Sequence, residues 1–375
     1  MRLALVTRRY PPLIGGAEKV LSYLAPALAA EGAEVTVLTA RAPGLSPVED
    51  VPVSRGSLRV ERLETSSLRF VGTWLYMRHL SRWFAHHRVD LAYVSMLKHD
   101  AYVTVAAARR GGFPVVLRPE GAGATGDLAW QGWGRFGKTI GCRCQQADAF
   151  VSISRAITDE LLAAGYDPGR IHALPNGVPV PETPWSRRLN WREAPRAVFV
   201  GRLAPEKGLD TLIDAWPAVR AHHPRAVLTL VGEGPVRPLL EEQIRRLGLD
   251  DAVLLPGSSD DPGSQLREAD LFVLPSREEG MSIALLEAMA LGIPLVASSI
   301  PGNRRLVPDF VRGRLALPDD PAVLSRAILE QWADYDRAVH MARAARRHVA
   351  EKYSIAAVAR SHLELFHSLI NRKKG

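Results

Sequence analysis

Short apolar runs alternate along the chain with segments of helical periodicity, and this alternation is typical of parallel β-sheets wrapped by crossover helices. Five runs in the first half are predicted strands, at residues 3–7, 35–39, 91–95, 115–117 and 149–153. Five more follow in the second half, at residues 197–200, 227–231, 253–255, 271–274 and 295–297. The pattern therefore predicts an α/β protein made of two Rossmann-like domains.

A proline-rich stretch separates the two halves. Residues 178–195 read VPVPETPWSRRLNWREAP, and proline resists regular structure. We predict an N-terminal domain at 1–178, an exposed linker at 179–195, a C-terminal domain at 196–350, and a C-terminal helix at 351–375 that packs back on the first domain. The two domains are expected to face a central cleft, because ligands of such sheets lie beyond the carboxyl ends of the strands.

The composition agrees with two folded domains and narrows the functional classes. Of 375 residues, 47% are hydrophobic and 23% are charged, which excludes a disordered or fibrous chain. No apolar run reaches the ~18 residues that a membrane span needs. Cys142 and Cys144 are too few for a disulfide framework, and the N-terminal apolar run is too short for a signal peptide. These features predict a cytoplasmic protein.

The net charge of +8 is unevenly distributed, and residues 55–88 are strongly basic. Seven arginines in that segment are accompanied only by Glu61 and Glu64, and they alternate with bulky apolar residues such as Trp74 and Trp83. Two interpretations remain open: a helix docked on its own core with a solvated basic face, or an amphipathic surface on anionic lipid headgroups at the inner membrane face. The positive charge is the one feature that would favour binding to a nucleic acid. We therefore expect no nucleic-acid partner.

Loops after the first strand of each half contain candidate phosphate-binding groups. Gly15 and Gly16 directly precede a helix, where backbone N–H groups can approach an anion. In the second half, GRLAPEKGLD places Arg202 and Lys207 on either side of a turn. Two cations there suit a diphosphate without a metal, although a solvated loop with incidental charges fits the pattern equally well. Neither loop has the spacing of a dinucleotide or P-loop fingerprint.

The segment EGMSIALLEAMA at 279–290 gives the strongest signal. It follows an apolar run, so that Glu279 is predicted in a loop and Glu287 about two helical turns later on a helix. Ser282 is the predicted N-cap, and the backbone N–H groups near Gly280, Met281 and Ser282 form a further anion site. Carboxylates accept hydrogen bonds from hydroxyl groups, so this segment suits a polyol beside a phosphate.

Five motifs together resemble those of the family-4 retaining glycosyltransferases of GT-B fold. They are GGAE near the N-terminus, PNGV at 175–178, GRLAPEKG at 201–208, VGEGP at 231–235 and EEGMSIALLEAMALGIPLVAS at 278–298. Their order and spacing match over nearly the whole chain. The resemblance implies a UDP- or GDP-linked sugar donor bound mostly by the C-terminal domain. It also implies an acceptor hydroxyl bound mostly by the N-terminal domain, and transfer with retention at the anomeric carbon.

The resemblance also implies individual roles. Arg202 and Lys207 hold the diphosphate, Glu279 faces the donor sugar, and Glu287 holds the ribose hydroxyls. These roles give a catalytic set of Arg202, Lys207 and Glu279. The implied donor-binding set is Gly15, Gly16, Arg202, Lys207, Gly280, Met281, Ser282 and Glu287. The nucleotide sugar is a substrate, so we expect no cofactor. We also expect no metal, because Asp334 and Asp336, despite their D-x-D spacing, lie in a helical segment.

Two positions depart from the family pattern. In LRPEGAGATGD, Glu120 stands where many relatives have a His, and Arg305 stands where relatives often have Glu. Glu120 and Asp127 are candidate contacts for the acceptor or the sugar, and a mobile glycine-rich lid is the alternative.

Three functions fit the same fold. The first is transfer to a sugar or to a lipid-linked or cell-envelope glycan. The second is a nucleotide-sugar 2-epimerase, and the third is an inactive nucleotide-sugar-binding homologue.

Overall fold

A computed structural model describes residues 1–12, 16–123, 126–259 and 261–374. The chain divides into two compact units. The first contains Met1–Gly177 and Ile355–Gly375, and the second contains Val178–Ser354.

The described strands of the first unit form an eight-stranded sheet with the order β3-β4-β2-β1-β5-β6-β7-β8. Neighbouring strands are parallel except β3 and β4. The strands are β1 Arg2–Val6, β2 Glu34–Ala40, β3 Val48–Val51, β4 Ser57–Leu63, β5 Leu91–Ser95, β6 Val115–Arg118, β7 Ala149–Ser152 and β8 Ile171–Ala173. The order reverses between β1 and β5, so ligands are expected beyond the carboxyl ends of these two strands.

Helices cover both faces of this sheet. They are α1 Gly16–Ala30, α2 Arg69–His86, α3 His99–Gly111, α4 Asp127–Trp133, α5 Gly137–Cys144 and α6 Arg155–Ala163. On one face, Tyr76 and Leu80 of α2 pack with Val94 and Leu117 of the sheet. A separate core on the other face includes Leu24 of α1. The central strands are continuous apolar runs because they are buried on both sides.

In the second unit, the strands that the structure describes form a six-stranded parallel sheet with the order β11-β10-β9-β12-β13-β14. Its strands are β9 Arg196–Val200, β10 Val227–Val231, β11 Val253–Gly257, β12 Leu271–Leu274, β13 Leu295–Ser298 and β14 Arg314–Ala316. Its helices are α7 Leu209–His222, α8 Arg237–Arg246, α9 Pro262–Glu268, α10 Ile283–Leu291, α11 Pro301–Leu306, α12 Pro321–Ala333 and α13 Tyr335–Lys352. Here the order reverses between β9 and β12.

The last helix, α14 Ile355–Lys374, belongs to the first unit. Its Phe366 is fully buried in the same core as Leu24. Among the residues that the structure describes, no helix has the length and apolar character to cross a membrane.

The segment predicted as an exposed linker is instead packed on the second unit. The indole N–H of Trp185 donates to the Ala269 carbonyl at 2.8 Å, and Trp191 stacks on Tyr335 with ring centroids 3.9 Å apart. Arg188 pairs with the fully buried Asp270. A buried carboxylate requires such a partner, so the segment is part of the fold.

The basic segment 55–88 is not one continuous amphipathic surface. Residues 57–63 form β4, and α2 begins only at Arg69. Trp83 and Phe84 are buried in the core of the first unit. For this half of α2, the structure therefore agrees with a helix docked on its own core.

Candidate functional site

The second unit presents two loops at the point where its strand order reverses. One loop follows β9 at residues 201–208, and the other follows β12 at residues 275–282. Because β9 and β12 are adjacent and parallel, their carboxyl ends lie side by side. This arrangement brings Lys207 and Glu279 together although 72 residues separate them.

The two loops are in backbone contact. Gly208 has φ +62°, a left-handed conformation that favours glycine. A Cβ atom at this position would lie 2.4 Å from the Pro275 carbonyl oxygen. The last glycine of the GRLAPEKG motif therefore permits both the turn and the close approach of the second loop.

Arg277 joins the loops further, and the sequence reasoning did not identify it. Its guanidinium donates to the Pro205 carbonyl at 2.7 Å, to Asp210 Oδ2 at 2.7 Å and to Asp319 Oδ1 at 2.6 Å. Burial raises the pKa of Asp210, but hydrogen bonding and charge from Arg277 outweigh it and hold that pKa below its usual value. Arg277 is a positioning residue for the loop that carries Lys207.

The centre of the site is an ion pair. Lys207 Nζ donates to Glu279 Oε1 at 2.7 Å, and the Ser276 hydroxyl donates to the same oxygen at 2.8 Å. Glu279 is largely buried, with a side-chain exposure of 9%, and Lys207 is 19% exposed. Glu279 Oε2 has no hydrogen-bond partner among the described residues, so it can accept a bond from a ligand hydroxyl.

The helix after this loop begins as predicted. Ser282 is the N-cap of α10, and its hydroxyl accepts a hydrogen bond from the Leu285 N–H at 3.3 Å. Glu287 lies on α10 and is half-buried, whereas Glu279 lies in the preceding loop. Gly280 and the buried Met281 lie between Glu279 and the cap.

Four further positions were singled out on the donor side, and the structure describes three of them. Arg202 follows β9 and is exposed. Gly16 is the first residue of α1, and Gly15 lies outside the described residues. Arg305 is exposed on α11.

In the first unit, Glu120 belongs to a cluster of buried polar groups. Ser95 and Arg118, at the ends of β5 and β6, both donate to Glu120 Oε1. Asp127 Oδ2 accepts the Glu120 N–H at 2.8 Å, and the Asp127 side chain is only 3% exposed. Burial raises the pKa of Asp127, and the Glu120 N–H and Lys98 oppose that rise. Asp127 therefore fixes the backbone of Glu120, and Glu120 is the more accessible carboxylate of the two.

A second group of charged side chains lies at the point where the strand order of the first unit reverses. The sequence analysis did not identify these residues. Arg8 follows β1 and lies 3.6 Å from Asp100, at the start of α3. Lys98 follows β5 and lies 3.6 Å from Asp127. Burial raises the pKa of Asp100 to about 6, although Arg8 and Lys98 oppose that rise. Their position after β1 and β5 is the only signal that could have identified them.

Arg277→Ala is expected to lower kcat/KM by about ten- to a hundredfold, because the segment with Lys207 loses the two hydrogen bonds that Arg277 makes to Pro205 and Asp210, and small displacements are costly in a catalytic site. Steady-state kinetics with the UDP- or GDP-sugar donor that the motif resemblance implies measures the change. Arg220→Ala is the matched control, since Arg220 pairs with Asp251 and the Pro224 carbonyl elsewhere in the same unit. Equal loss in both variants would show a general effect of arginine removal and contradict the positioning role.

The described residues contain no group of three or more His, Cys, Asp or Glu side chains that could hold a metal ion. The Lys207–Glu279 pair itself offers an ammonium and a carboxylate, and backbone N–H groups lie close by at the start of α10.

Several proteins of known activity or structure are similar over nearly the whole chain. Glycogen synthase of Mycobacterium tuberculosis is 27% identical over 98% of this chain and 94% of its own length. A GDP-mannose-dependent alpha-(1-6)-phosphatidylinositol monomannoside mannosyltransferase of that organism is 27% identical over 94% of each chain. The structure of sucrose-phosphate synthase from Thermosynechococcus elongatus matches with a TM-score of 0.83 and 22% identity over 99% of each chain. This last likeness confirms the predicted GT-B fold class.

Two family models divide the chain between them. The model for Glycosyltransferase Family 4 matches residues 14–181, and the model for Glycosyl transferases group 1 matches residues 182–348. Both agree with the resemblance carried by the GRLAPEKG and EEGMSIALLEAMA motifs. The chain therefore belongs to the family-4 glycosyltransferases of GT-B fold.

Proposed function

We propose that this glycosyltransferase moves a sugar from a UDP- or GDP-linked donor to an acceptor hydroxyl, with retention at the anomeric carbon. The observation that carries the proposal is the Lys207–Glu279 ion pair at the strand-order reversal of the second unit. It combines a cation suited to a diphosphate with a carboxylate suited to sugar hydroxyls, beyond the carboxyl ends of the strands.

Lys207 has the hydrogen-bonding capacity for both partners. An ammonium group has three N–H donors, and Glu279 Oε1 accepts one of them. The other two can bind diphosphate oxygens. Arg202, exposed after β9, supplies a second cation, so that the diphosphate charge is neutralised by side chains.

In this proposal, Glu279 and Glu287 bind different parts of the donor. Glu279 Oε2 accepts a hydroxyl of the transferred sugar, while Ser276 and Lys207 fix the orientation of the carboxylate through Oε1. Glu287, on α10, accepts the ribose hydroxyls. The N–H groups around Gly280, Met281 and Ser282 face the phosphate side, where the N-terminus of α10 favours negative charge.

Transfer requires stabilisation of two developing charges. The bond between the anomeric carbon and the phosphate oxygen breaks, and a bond to the acceptor oxygen forms on the same face of the sugar. The acceptor proton passes to the departing phosphate oxygen. Lys207 and Arg202 stabilise the negative charge that grows on the diphosphate, which is where fixed cations contribute most to the rate.

The acceptor is proposed to bind the first unit, near the ends of β1 and β5. Arg8, Lys98 and Glu120 lie at or beside this edge and offer both signs of charge to a polyol. A lipid-linked or cell-envelope glycan is the acceptor that we favour. One relative's name specifies a phosphatidylinositol monomannoside acceptor. Such an acceptor would require the enzyme to work at the inner face of a membrane.

A donor panel tests the proposed function directly. UDP- and GDP-sugars are first compared by thermal shift, because a ligand that binds only the folded state raises the melting temperature. Nucleotide release is then measured with the best donor, with and without candidate acceptors. Acceptor-dependent release of UDP or GDP supports transfer. Epimerisation of the donor without acceptor, or tight binding without turnover, would each contradict it.

Chelation provides a separate test of the diphosphate site. If Lys207 and Arg202 neutralise the diphosphate, EDTA should leave the transfer rate within about twofold of the untreated value, since no divalent cation is needed for charge compensation. The measurement compares initial rates before and after EDTA treatment and after addition of excess Mg2+. An absolute requirement for Mg2+ or Mn2+ would rule out the site described.

A further inference from the structure

Helix α2 has two different faces. Tyr76, Leu80, Trp83 and Phe84 are buried against the sheet and α3. The opposite face carries exposed residues at intervals of four: Phe70, Trp74, Arg78 and Arg82. Phe70 is 66% exposed and Trp74 is 58% exposed, which is unusual for such large apolar side chains on a packed helix.

The short connection between α4 and α5 extends this exposed face. Trp133 and Phe136 are 73% and 64% exposed. The Arg135 guanidinium lies 5.2 Å from the ring centroid of Phe70 and 5.2 Å from that of Phe136, so it joins the connection to the start of α2. Arg78 lies 5.4 Å from the Trp74 ring. We call the surface of Phe70, Trp74, Arg78, Arg82, Trp133, Arg135 and Phe136 the aromatic–arginine face.

The segments that build this face carry charge of one sign only. Residues 65–89 and 128–147 contain no Asp or Glu, whereas they contain seven Arg and Lys residues. The acidic residue of the neighbouring α3, Asp100, is buried. Nothing in these segments neutralises the exposed arginines, so the face is complementary to an anionic partner.

Two arginines of the basic segment 55–88 already have acidic partners. Arg59 pairs with Asp50 at 2.8 Å, and Arg62 is buried and pairs with Glu49 at 2.7 Å. Both belong to β4. The two arginines of β4 are therefore paired within the sheet, whereas Arg78 and Arg82 of α2 are exposed on the aromatic–arginine face.

We propose that the aromatic–arginine face binds the surface of an anionic phospholipid bilayer. Exposed tryptophan and phenylalanine rings suit the interfacial layer of a membrane, where an apolar ring and a polar edge are both satisfied. Arginines beside them pair with lipid phosphates and with the negative surface potential. The face thereby holds the first unit on the membrane. This inference deepens the proposed function by naming the surface through which the enzyme reaches a lipid-linked acceptor.

Vesicle flotation tests the proposal without donor or acceptor, so its outcome is independent of whether the chain transfers sugar. The protein is mixed with phosphatidylcholine vesicles that contain or lack phosphatidylglycerol, at low and at high salt. We expect binding only to the anionic vesicles, and weaker binding at high salt, because salt screens the arginine charges. Equal recovery with both vesicle types, or no binding to anionic vesicles at low salt, would overturn the proposal.

Two variants separate charge from apolar insertion. Arg78→Glu with Arg82→Glu should weaken binding to anionic vesicles by about tenfold or more, since each arginine near the surface contributes favourably and each glutamate is repelled. The matched control is Arg343→Glu with Arg347→Glu, which changes the same charge at the same spacing on exposed positions of α13. Equal loss of binding in both double variants would show a non-specific charge effect and contradict the assignment.

The aromatic contribution has its own control. Phe70→Ser with Trp74→Ser should weaken vesicle binding, whereas Leu239→Ser with Leu254→Ser, at exposed apolar positions of the second unit, should not. Brominated lipids provide a direct readout, because they quench tryptophans that enter the interface. Quenching should decrease in a Trp74→Phe, Trp133→Phe variant. Unchanged quenching would show that these two rings stay out of the bilayer and would overturn the proposed face.

Discussion

Lys207→Ala and Arg202→Ala should each slow sugar transfer by about a hundredfold or more, because each removes a cation that stabilises the diphosphate as its charge grows. Lys207 has the better-defined position, since Glu279 and the short helical turn Pro205–Lys207 hold it at the strand-order reversal. The effect should appear mainly in kcat, because the charge develops during bond breaking. Steady-state kinetics with saturating acceptor measures it.

The control for these variants is Arg326→Ala, which removes an exposed arginine from α12 in the same unit. A double variant that combines Lys207→Ala with Glu279→Gln adds a further test. The two side chains share a hydrogen bond, so their effects on kcat should not be additive. Turnover within a few-fold of wild type in both Lys207→Ala and Arg202→Ala would remove the diphosphate assignment.

The predicted strands share one physical property. Each is a continuous apolar run, and in a parallel sheet covered by helices such runs are buried on both faces. The strands at Leu91–Ser95, Val227–Val231 and Leu271–Leu274 have the predicted bounds, and the others differ by one or two residues at one or both ends. The alternation of apolar runs and helical segments was therefore enough to predict two α/β halves.

Four strands were not predicted, and each lacks that property. β4 alternates buried and exposed residues and carries charges on its open side, so it was read together with α2. β3 reads VEDV and is largely exposed. β8 and β14 have three residues each, too few for a pattern. Edge strands and short strands are stabilised mainly by hydrogen bonds to a neighbouring strand. The local sequence pattern carries no information about that neighbour.

The same distinction applies to the site. The loops of Lys207 and Glu279 could be predicted because both follow apolar strands and carry turn residues. The ties that Arg277 makes to Asp210 and Asp319 span 67 and 42 residues, and nothing near Arg277 in sequence indicates them. Likewise, Asp127 is the first residue of α4, a position at which many carboxylates are exposed. Only the tertiary structure shows that it bonds to the Glu120 backbone.

The two glutamates of the donor site should separate nucleotide binding from sugar binding. Glu287→Ala should weaken the affinity for free UDP or GDP by about tenfold, because a carboxylate that bonds two ribose hydroxyls contributes before any chemistry occurs. Glu279→Gln should leave that affinity nearly unchanged and lower kcat/KM for the intact nucleotide sugar. Glutamine is preferable to alanine at this position, because its oxygen can still accept the Ser276 hydroxyl and keep the side chain in place.

Glu278→Gln is the matched control for Glu279→Gln. Glu278 is the adjacent residue, it is exposed, and its substitution removes the same charge from the same loop. Calorimetric titration with the free nucleotide and kinetics with the nucleotide sugar give the two readouts for all three variants. Equal nucleotide affinity in wild type and Glu287→Ala would show that the ribose assignment is wrong. If Glu278→Gln and Glu279→Gln reduced kcat/KM equally, the loop charge alone would account for the loss, and Glu279 would have no specific role toward the sugar.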